Sequence, residues 1–376
     1  MTEDLRAIQM NVGSEMKDIS SIKYGVCGVG RIGERHCRHF VSGGEDYAYE
    51  LVALCDADPD RLAAMAAKFG GKSYCDYADF LGDAEMELVI IATRSLDHAV
   101  NAAQALEAGK NVLLEKPIGV TAADFHLLQR LDREYPGKLF FMHNLRFQPA
   151  FMNLQEILSS GVLGNINAAK LCKHHQFMRR NDWQMRLDCG GGQLSVWGPH
   201  LIDQGLQILD APVRGVWSAL RRILTPGDGD DHVKIILTGT NDRVVELEIS
   251  NSVALPGPYC EIYGDRGTLV CDQEQKVMQL KYLDPEFRWP EAQADAGSPV
   301  SKGYMGADPV LPWIEETRKV TPETNPWDQV EIEIAKHLYH TLRMDIPFPI
   351  KNTDALEVLR ITEMVKKQNP EFEWAG

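Results

Sequence analysis

Two residues in this sequence combine a type and a position that suit proton handling. Lys116 comes two residues after an apolar, strand-like run, 111–114. A lysine at the end of a strand suits the holding of a substrate hydroxyl, because its three donors reorient readily. His200 and Asp203 are three residues apart, so a helix would place both on one face. A histidine beside a carboxylate is a reasonable general base. The alternative interpretation of Lys116 is a surface lysine, and that of His200 is a histidine buried in the core.

A glycine pattern near the N-terminus predicts a dinucleotide site. Gly28, Gly30 and Gly33 form G-x-G-x-x-G between an apolar run and a helical pattern. In such a turn the glycines allow a tight bend, close approach of a pyrophosphate, and close packing of helix on strand. Arg31 and Ile32 begin the helix, whose free N–H groups and dipole would bind the diphosphate. The pattern alone is weak, and the alternative is a strand–turn–helix that binds nothing.

The next strand-like run, 50–55, ends at Asp56. A carboxylate at this place accepts hydrogen bonds from both ribose hydroxyls and repels a 2′-phosphate. Arg61, beyond Pro59, is the one arginine in the first few positions that follow. The sequence therefore predicts NAD(H) in preference to NADP(H).

Other predicted strands also end in polar residues, and open parallel sheets bind their ligands beyond the carboxyl ends of the strands. The predicted cofactor contacts among these residues are Thr93, His98, Glu115, Lys116 and Asn144. His98 lies inside a helical pattern, so a packing or capping role is favoured over a catalytic one.

The predicted substrate contacts are Arg146, Trp197 and Asp203. For Arg146, packing at a hinge is the alternative interpretation to substrate contact, and a catalytic role is not expected. Four further basic residues could meet an acidic or phosphorylated substrate, although a solvated surface is the favoured interpretation: Lys173, Arg179, Arg180 and Arg186.

The order of the elements predicts two domains and an α/β fold class. From 21 to 145 strand-like runs alternate with helical patterns, which predicts a parallel sheet covered on both faces. From 146 to 352 short strands separated by turn signals predict an α+β domain with a large, open, mainly antiparallel sheet. Residues 1–20 are interpreted as an N-terminal extension, and 284–327 as an irregular excursion.

Composition restricts the class of protein further. The 376 residues include 39 basic and 54 acidic side chains, and this net charge of −15 argues against a nucleic-acid or anionic-membrane partner. The eight cysteines show no C-x-x-C spacing, which indicates buried thiols in a reducing compartment and no metal site. The acidic N-terminus does not suit a signal peptide, and no apolar run approaches the roughly 20 residues of a membrane span. A cytoplasmic protein is expected.

Taken together, the motifs resemble those of the glucose–fructose oxidoreductase / inositol dehydrogenase / rhizopine catabolism (Gfo/Idh/MocA) family. The matching pieces are GVGRIG (28–33), Asp56, HAVNAAQALEAGKNVLLEKPIGV (98–120), HNLRFQP (143–149), GGGQLSVWGPHLID (190–203), EIYGDRGTL (261–269) and PFPIKNTDALEVLRITEMV (347–365). They follow one another in the family's order over nearly the whole chain.

The resemblance implies a Rossmann domain that binds NAD(H) or NADP(H), and sugars, cyclitols or related polyols as substrates. Lys116 would bind the reacting hydroxyl, and His200 would exchange its proton while hydride passes to or from the nicotinamide. The late helix, 353–368, is expected to return to the nucleotide domain. By the same analogy the open sheet would form a homodimer or homotetramer.

One position departs from the family's commoner pattern, in which an aspartate stands four residues before the histidine. Here that position is Val196. Three interpretations remain open. Lys116 and His200 suffice, with help from Asp203 or an acid within 182–188; the chain belongs to a branch with a different substrate or redox chemistry; or its redox activity is weak or lost. The alternatives to an oxidoreductase are accordingly an NAD-assisted lyase or glycosidase without net redox change, and a nucleotide- or sugar-binding sensor.

Overall fold

The computed structural model describes residues 20–41, 46–291, 296–297 and 310–373, so the predicted N-terminal extension lies, except for Ser20, outside the described residues. Contacts within the chain divide it into two compact units. The first unit comprises the chain up to Gly119 with Ala123–Asn144 and Val330–Thr353, and the second comprises Val120–Ala122, Leu145–Gln329 and the chain from Asp354.

The first unit contains a six-stranded parallel sheet with helices between its strands. Its strands are β1 Ile22–Cys27, β2 Tyr49–Cys55, β3 Lys72–Tyr74, β4 Leu88–Ile91, β5 Asn111–Leu114 and β6 Leu139–Phe141. The helices are α1 Arg31–His39, α2 Pro59–Phe69, α3 Tyr77–Leu81, α4 His98–Glu107 and α5 Ala122–Glu134, of which the last begins at the border of the two units. The strand order β3-β2-β1-β4-β5-β6 and the parallel pairing confirm the predicted Rossmann-type sheet.

Burial explains why these short runs form strands rather than helices. All four residues of β4 (Leu88–Ile91) are buried, as are the last three of β5. Strands that are apolar on both faces fit a parallel sheet covered on both sides. The short β3 and α3 were not predicted, because β3 has no buried residue and carries no apolar alternation.

The second unit is built on an eight-stranded sheet in the order β14-β13-β12-β11-β7-β10-β9-β8. Its strands are β7 Ile166–His174, β8 Val213–Arg221, β9 His232–Gly239, β10 Val244–Ser250, β11 Cys260–Gly264, β12 Gly267–Cys271, β13 Val277–Leu283 and β14 Trp313–Lys319. The helices α6 Pro149–Ser160, α7 Gln193–Val196 and α8 Gly198–Leu209 precede β8, and α9 Pro326–Met344 and α10 Asn352–Gln368 follow β14. Only β7 and β10 pair in parallel within the described sheet, which confirms the mainly antiparallel prediction.

One face of this sheet forms the core of the second unit. On β9, Val233, Ile235 and Leu237 are buried while Lys234 between them is not. The buried residues join those of α6, α8 and α10 in a single apolar cluster. This period of two is what a sheet with one covered face requires.

Two sequence-based expectations about this region are corrected. The segment 284–327, interpreted as irregular, contains β14, which pairs with β13 along its whole length. The closing helix α10 was expected to return to the nucleotide domain. Its Val358, Ile361 and Val365 instead belong to the core of the second unit, and the first unit takes α9 from Val330 onward.

None of the helices in the described part of the chain combines the length and the apolar character needed to cross a membrane.

Candidate active site

The glycine turn after β1 has the steric properties that a dinucleotide site requires. Gly28 adopts φ +86°, and a Cβ on it would lie 2.5 Å from the carbonyl oxygen of Ala92. A Cβ on Gly33 would lie 2.1 Å from the carbonyl oxygen of Gly28. A Cβ on Gly30, in contrast, would have no contact within 4 Å among the described residues beyond its chain neighbours. Two glycines therefore serve the turn and the packing of α1, and the third leaves its backbone open to a pyrophosphate.

The N-terminus of α1 offers donors at the same place. Its first residues, Arg31, Ile32 and Gly33, have no intrahelical acceptor for their N–H groups, and no side chain caps the helix from Gly30. The helix dipole adds partial positive charge there. These residues fit the diphosphate of a dinucleotide.

Asp56 follows β2 and is held in one orientation by the backbone. Its Oδ2 accepts the N–H of Val29 at 2.9 Å, and its Oδ1 accepts the N–H of Asp58 at 2.9 Å. Arg61, from the first turn of α2, lies 3.3 Å from Oδ1 through Nη1. The fixed carboxylate suits a ribose diol. The arginine is closer to it than the intervening proline led us to expect.

His98 links two of the loops at the carboxyl edge of the first sheet. Its Nδ1 lies 2.7 Å from the carbonyl oxygen of Pro117, and its Nε2 lies 3.2 Å from that of Thr93. The ring is buried, and burial lowers its pKa despite these two acceptors. The ring contacts a carbonyl group of each loop, and this geometry supports the packing role favoured from the sequence. The Thr93 hydroxyl accepts a hydrogen bond from Asn101 at 3.2 Å.

Lys116 directly follows Glu115 at the end of β5, and its peptide bond to Pro117 is cis. The Oε2 of Glu115 accepts the backbone N–H of Lys116 at 2.9 Å. Glu115 is therefore a buried residue that orients the backbone from which the lysine side chain extends.

The other oxygen of Glu115 belongs to a polar cluster inside the first unit that the sequence did not reveal. Oε1 of Glu115 lies 2.9 Å from Nε2 of His36, which is fully buried on α1. Nδ1 of His36 faces Oε2 of Glu331 on α9 at 3.6 Å. The Nδ2 of Asn144 donates to the other oxygen of Glu331 at 3.0 Å, and Arg35 lies 3.1 Å from that same oxygen. We call these five residues the buried polar cluster.

The charges of the cluster depend on one another. Burial alone lowers the pKa of His36, but the hydrogen bond to Glu115 and the charge of Glu331 outweigh it and raise the pKa. Burial raises the pKa of Glu115, yet the bond from His36 and the charge of Lys116 bring it below its ordinary value. Glu331 keeps a raised pKa, mainly because of burial. An imidazolium between two carboxylates is the arrangement these directions favour.

In the second unit, Arg146 and Asp203 bind each other. Nε of Arg146 donates to Oδ2 of Asp203 at 2.8 Å, and Nη2 donates to Oδ1 at 2.6 Å. The remaining nitrogen, Nη1, lies 3.0 Å from Oδ2 of Asp354. Both oxygens of the nearly inaccessible Asp203 are thus engaged by the arginine. This geometry favours a positioning role for the two residues over the predicted contact with substrate.

His200 lies in the first turn of α8, next to a group of aromatic rings. Its ring centroid is 5.7 Å from that of Trp197, which in turn is 5.7 Å from that of His175. Nζ of Lys173 lies over the Trp197 ring at 4.3 Å from the centroid. Burial lowers the pKa of Lys173. Burial and the neighbouring Lys173 lower the pKa of His175 to about 4.

Each of the acids suggested as substitutes for the aspartate absent at Val196 has an arginine partner. Asp203 is bound to Arg146, as described above. Asp182 binds Arg180 at 2.8 Å, and Asp188 is paired with Arg186. The same ion pairs satisfy two of the four basic residues noted in the sequence, and Arg179 donates to the carbonyl oxygen of Leu224 at 3.1 Å.

The glycine run before His200 packs against a buried carboxyl group. A Cβ on Gly192 would lie 2.1 Å from Oδ1 of Asp230. Oδ2 of Asp230 accepts the N–H of Leu194 at 2.8 Å, at the start of α7. Burial raises the pKa of Asp230 to about 7. The run therefore needs glycine so that α7 can begin against this carboxyl group.

Comparison with known proteins agrees with this geometry. Residues 22–143 match the sequence model of the GFO/IDH/MocA oxidoreductase family described as "Oxidoreductase family, NAD-binding Rossmann fold", and residues 151–270 match that of the GFO/IDH/MocA C-terminal domain.

Individual relatives are more distant. An inositol 2-dehydrogenase of Acidothermus cellulolyticus is 29% identical over 283 residues, which cover 73% of this chain and 79% of the relative. A D-xylose 1-dehydrogenase (NADP(+)) of Hypocrea jecorina is 30% identical over 158 residues, 39% of this chain and 40% of the relative. Among solved structures, levoglucosan dehydrogenase in complex with NADH and levoglucosan superposes with a TM-score of 0.76 at 18% identity, covering 95% of this chain and 99% of that one. The last comparison supports the fold alone.

Proposed function

Because the chain belongs to the GFO/IDH/MocA family of oxidoreductases and carries its NAD-binding Rossmann domain, we propose that it oxidises a secondary hydroxyl of a sugar, sugar derivative or cyclitol, or reduces the matching ketone. Lys116 donates a hydrogen bond to the reacting oxygen, and His200 takes up the hydroxyl proton. With NAD⁺ bound, the nucleotide would accept the hydride from the carbon, which would give a ketone, NADH and a proton on His200. The bound nucleotide supplies the hydride chemistry, and the protein supplies orientation and proton handling.

The observation that carries the proposal is the place of Lys116. It extends from the carboxyl end of β5, and its backbone is held by a buried glutamate that is itself fixed by His36. Ligands of open parallel sheets bind beyond this edge. A donor on so rigid a backbone can stabilise the developing alkoxide without reorganisation.

We propose NAD(H) as the preferred nucleotide. Asp56 is aligned by two backbone N–H groups, so its negative charge would meet the 2′-phosphate of NADP(H) directly. The Arg61 guanidinium next to it would offset part of that repulsion. Discrimination by a moderate rather than an absolute factor is expected.

Activity is tested with NAD⁺ and a panel of sugars, sugar acids, glycosides and inositols, following both NADH absorbance and product mass. NADH formed together with a product lighter by two hydrogens supports the proposal. A product formed without NADH would indicate a lyase or glycosidase instead.

Lys116→Met is the variant that tests the mechanism, and Lys138→Met is its matched control. Lys138 also lies in the first unit, and its ammonium group donates to the carbonyl oxygen of Gly109. Lys116→Met should lose turnover by at least about a hundredfold, the lower range for a positioned proton-handling group, while calorimetry still shows NAD⁺ binding. Equal turnover in the two variants would remove Lys116 from the mechanism.

We also propose that the protein forms a homodimer or homotetramer through the uncovered face of the second sheet. Trp217 on β8 and Trp313 on β14 alternate with core-facing neighbours, and they are 54% and 44% exposed. Light scattering after size exclusion should give a multiple of the 42.1 kDa chain mass. Trp217→Glu should lower that multiple, and a monomeric wild-type protein would contradict the proposal.

A further inference from the structure

Lys173 occupies a place in the second unit where an apolar residue would be expected. Side chains along β7 alternate between the two faces of the sheet, and Ala169 and Leu171 point to the buried core. Lys173 and His175 continue that same face at the end of the strand. The core-side face of β7 therefore ends in the amino group of Lys173, and the imidazole of His175 follows just beyond the strand.

The ammonium group of Lys173 lacks a carboxylate partner among the described residues. Other lysines in this acidic chain are paired: Lys234 on β9 binds Glu248 at 2.6 Å, and Lys281 binds Glu315 at 2.7 Å. The contact recorded for Nζ of Lys173 is the face of the Trp197 ring. An indole face attracts a cation, but it leaves the three N–H donors of an ammonium group without an acceptor.

A second group in the same place also lacks a partner. Nε2 of His175 is buried and has no hydrogen-bond partner among the residues that the structure describes. An unsatisfied buried polar atom is destabilising, so it indicates a place where a ligand atom would be stabilised. The positions that flank the indole, Val196 and Gly198, bring no negative charge.

The indole of Trp197 connects these groups to the proton-handling residue. Its ring packs against both His175 and His200 with the same 5.7 Å centroid separation. Lys173 and His200 therefore both lie against the same indole ring.

We propose that the substrate is a sugar acid, and that Lys173 binds its carboxylate while His200 acts on one of its hydroxyls. This assignment rests on the function proposed above and narrows its substrate class.

The charge of the site favours a carboxylate over a phosphate. Because the pKa of His175 is lowered to about 4, its ring is neutral near pH 7, and Lys173 is the cation that lies against the indole of Trp197. A phosphate monoester carries a charge of roughly −1.5 to −2 at that pH and is commonly bound by arginine forks. The nearby Arg180 and Arg186 are occupied by their own aspartates.

The test compares acids with the neutral sugars of the same ring. The probes are D-glucuronate with D-glucose, D-galacturonate with D-galactose, and D-glucose 6-phosphate as the phosphate arm, at saturating NAD⁺. The variants are Lys173→Met, Lys173→Arg, and the control Lys170→Met. Lys170 lies on the same strand but on the opposite face of the sheet.

In the wild-type protein an acid should exceed its neutral partner in kcat/KM by about tenfold or more, the range expected for one hydrogen bond to a charged group. Lys173→Met should abolish that preference, mainly through KM. Lys173→Arg should retain part of it, and Lys170→Met should retain all of it. Equal use of acids and neutral sugars, or an unchanged preference in Lys173→Met, would overturn the assignment. Preference for the phosphate ester would show that the bound group is a phosphate and not a carboxylate.

Calorimetric binding to the NADH-loaded protein separates this inference from the proposed function. Acid binding that depends on Lys173, with no NADH formed from NAD⁺ by any compound, supports the anion site and rejects hydride transfer. Turnover of neutral sugars without binding of any acid rejects the anion site and supports hydride transfer. If no acid binds at all, the anion site is rejected as well.

Discussion

Nε2 of His36 lies 2.9 Å from Oε1 of Glu115, and this contact connects helix α1 to the backbone of Lys116. The second nitrogen of His36 faces Glu331 on a helix near the end of the chain. The candidate catalytic lysine is therefore positioned through Glu115, which belongs to the EKP motif, by His36 and Glu331, which lie outside the matching motifs and do not touch the substrate in the proposed mechanism.

The His36 contact predicts a pH-dependent stability. The pKa of His36 is raised in the folded state, because its two carboxylate neighbours outweigh the effect of burial. The stabilisation is therefore fully present below the unfolded pKa of about 6.5 and is lost as pH rises through the folded value. His36→Gln should have a lower Tm than the wild type below about pH 6.5, and the gap should narrow at higher pH.

Scanning calorimetry across pH measures that gap. His126→Gln, at an exposed histidine of α5, is the control and should show no pH-dependent difference. A gap for His36→Gln that stays constant from acid to alkaline pH would show that the imidazole is not the titrating group.

Asp230 predicts a separate pH dependence in the second unit. Burial raises its pKa to about 7, so ionising it opposes folding. The stability that the protonated carboxyl group contributes is complete below about pH 3.9, the pKa of an unfolded aspartate, and is lost as pH rises to about 7. Asp230→Asn keeps an oxygen for the N–H of Leu194 and removes the titration. Its Tm should exceed that of the wild type by at least about 5 °C at neutral pH, with the difference vanishing near pH 4.

The control for this measurement is Asp242→Asn. Asp242 is exposed and adopts a positive φ of 64°, which asparagine tolerates. Its Tm should follow that of the wild type at every pH. Parallel curves for Asp230→Asn and the wild type would mean that Asp230 does not titrate in this range.

The Arg146–Asp203 pair should contribute to stability because both side chains are removed from water. Asp203→Asn leaves a buried guanidinium with one carboxylate instead of two, and we expect a loss of about 3 kcal/mol in the free energy of unfolding. The exposed pair Arg214–Asp242 is the comparison, and breaking it should cost less than about 1 kcal/mol. Denaturant unfolding measures both values. Equal costs would show that burial does not strengthen the Arg146 pair.

Asp56 and Arg61 should determine the choice of nucleotide together. Asp56→Ser should weaken NAD⁺ binding by roughly tenfold or more, since a charged acceptor for the ribose hydroxyls is lost. The same change should strengthen NADP⁺ binding, because Arg61 then faces the 2′-phosphate without a competing carboxylate. Calorimetry with both nucleotides measures the ratio. Adding Arg61→Ala should cancel the gain for NADP⁺, and a persistent gain would locate the phosphate elsewhere.

The alternation of strands and helices and the glycine turn were predictable because their signals are local. Strand, glycine pattern and helix follow one another within residues 22–39, and each step has a steric cause. The packing role of His98 stays a prediction, and its contacts with two backbone carbonyl groups support it.

The buried polar cluster was not predictable, because its members are far apart in the chain. Asn144 and Glu331 alone are separated by 187 residues, and Glu331 lies among the charged residues of an amphipathic helix. Nothing in its neighbours distinguishes it from solvated acids. The edge strand β14 was not predicted for a related reason, because charged residues dominate its sequence, WIEETRK.

The division of the chain between its units determines the order in which they can be completed on the ribosome. The nucleotide-binding unit starts first, yet Val330–Thr353 must be synthesised before it has all its parts. Until then His36 faces Glu115 alone, and the surface that α9 will cover is open to solvent. Domains ordinarily fold from the N-terminus as they emerge. Here the first unit to emerge is complete only after Thr353 has been synthesised. A nascent chain truncated after Gln329 would expose to chaperones the apolar surface that α9 otherwise covers.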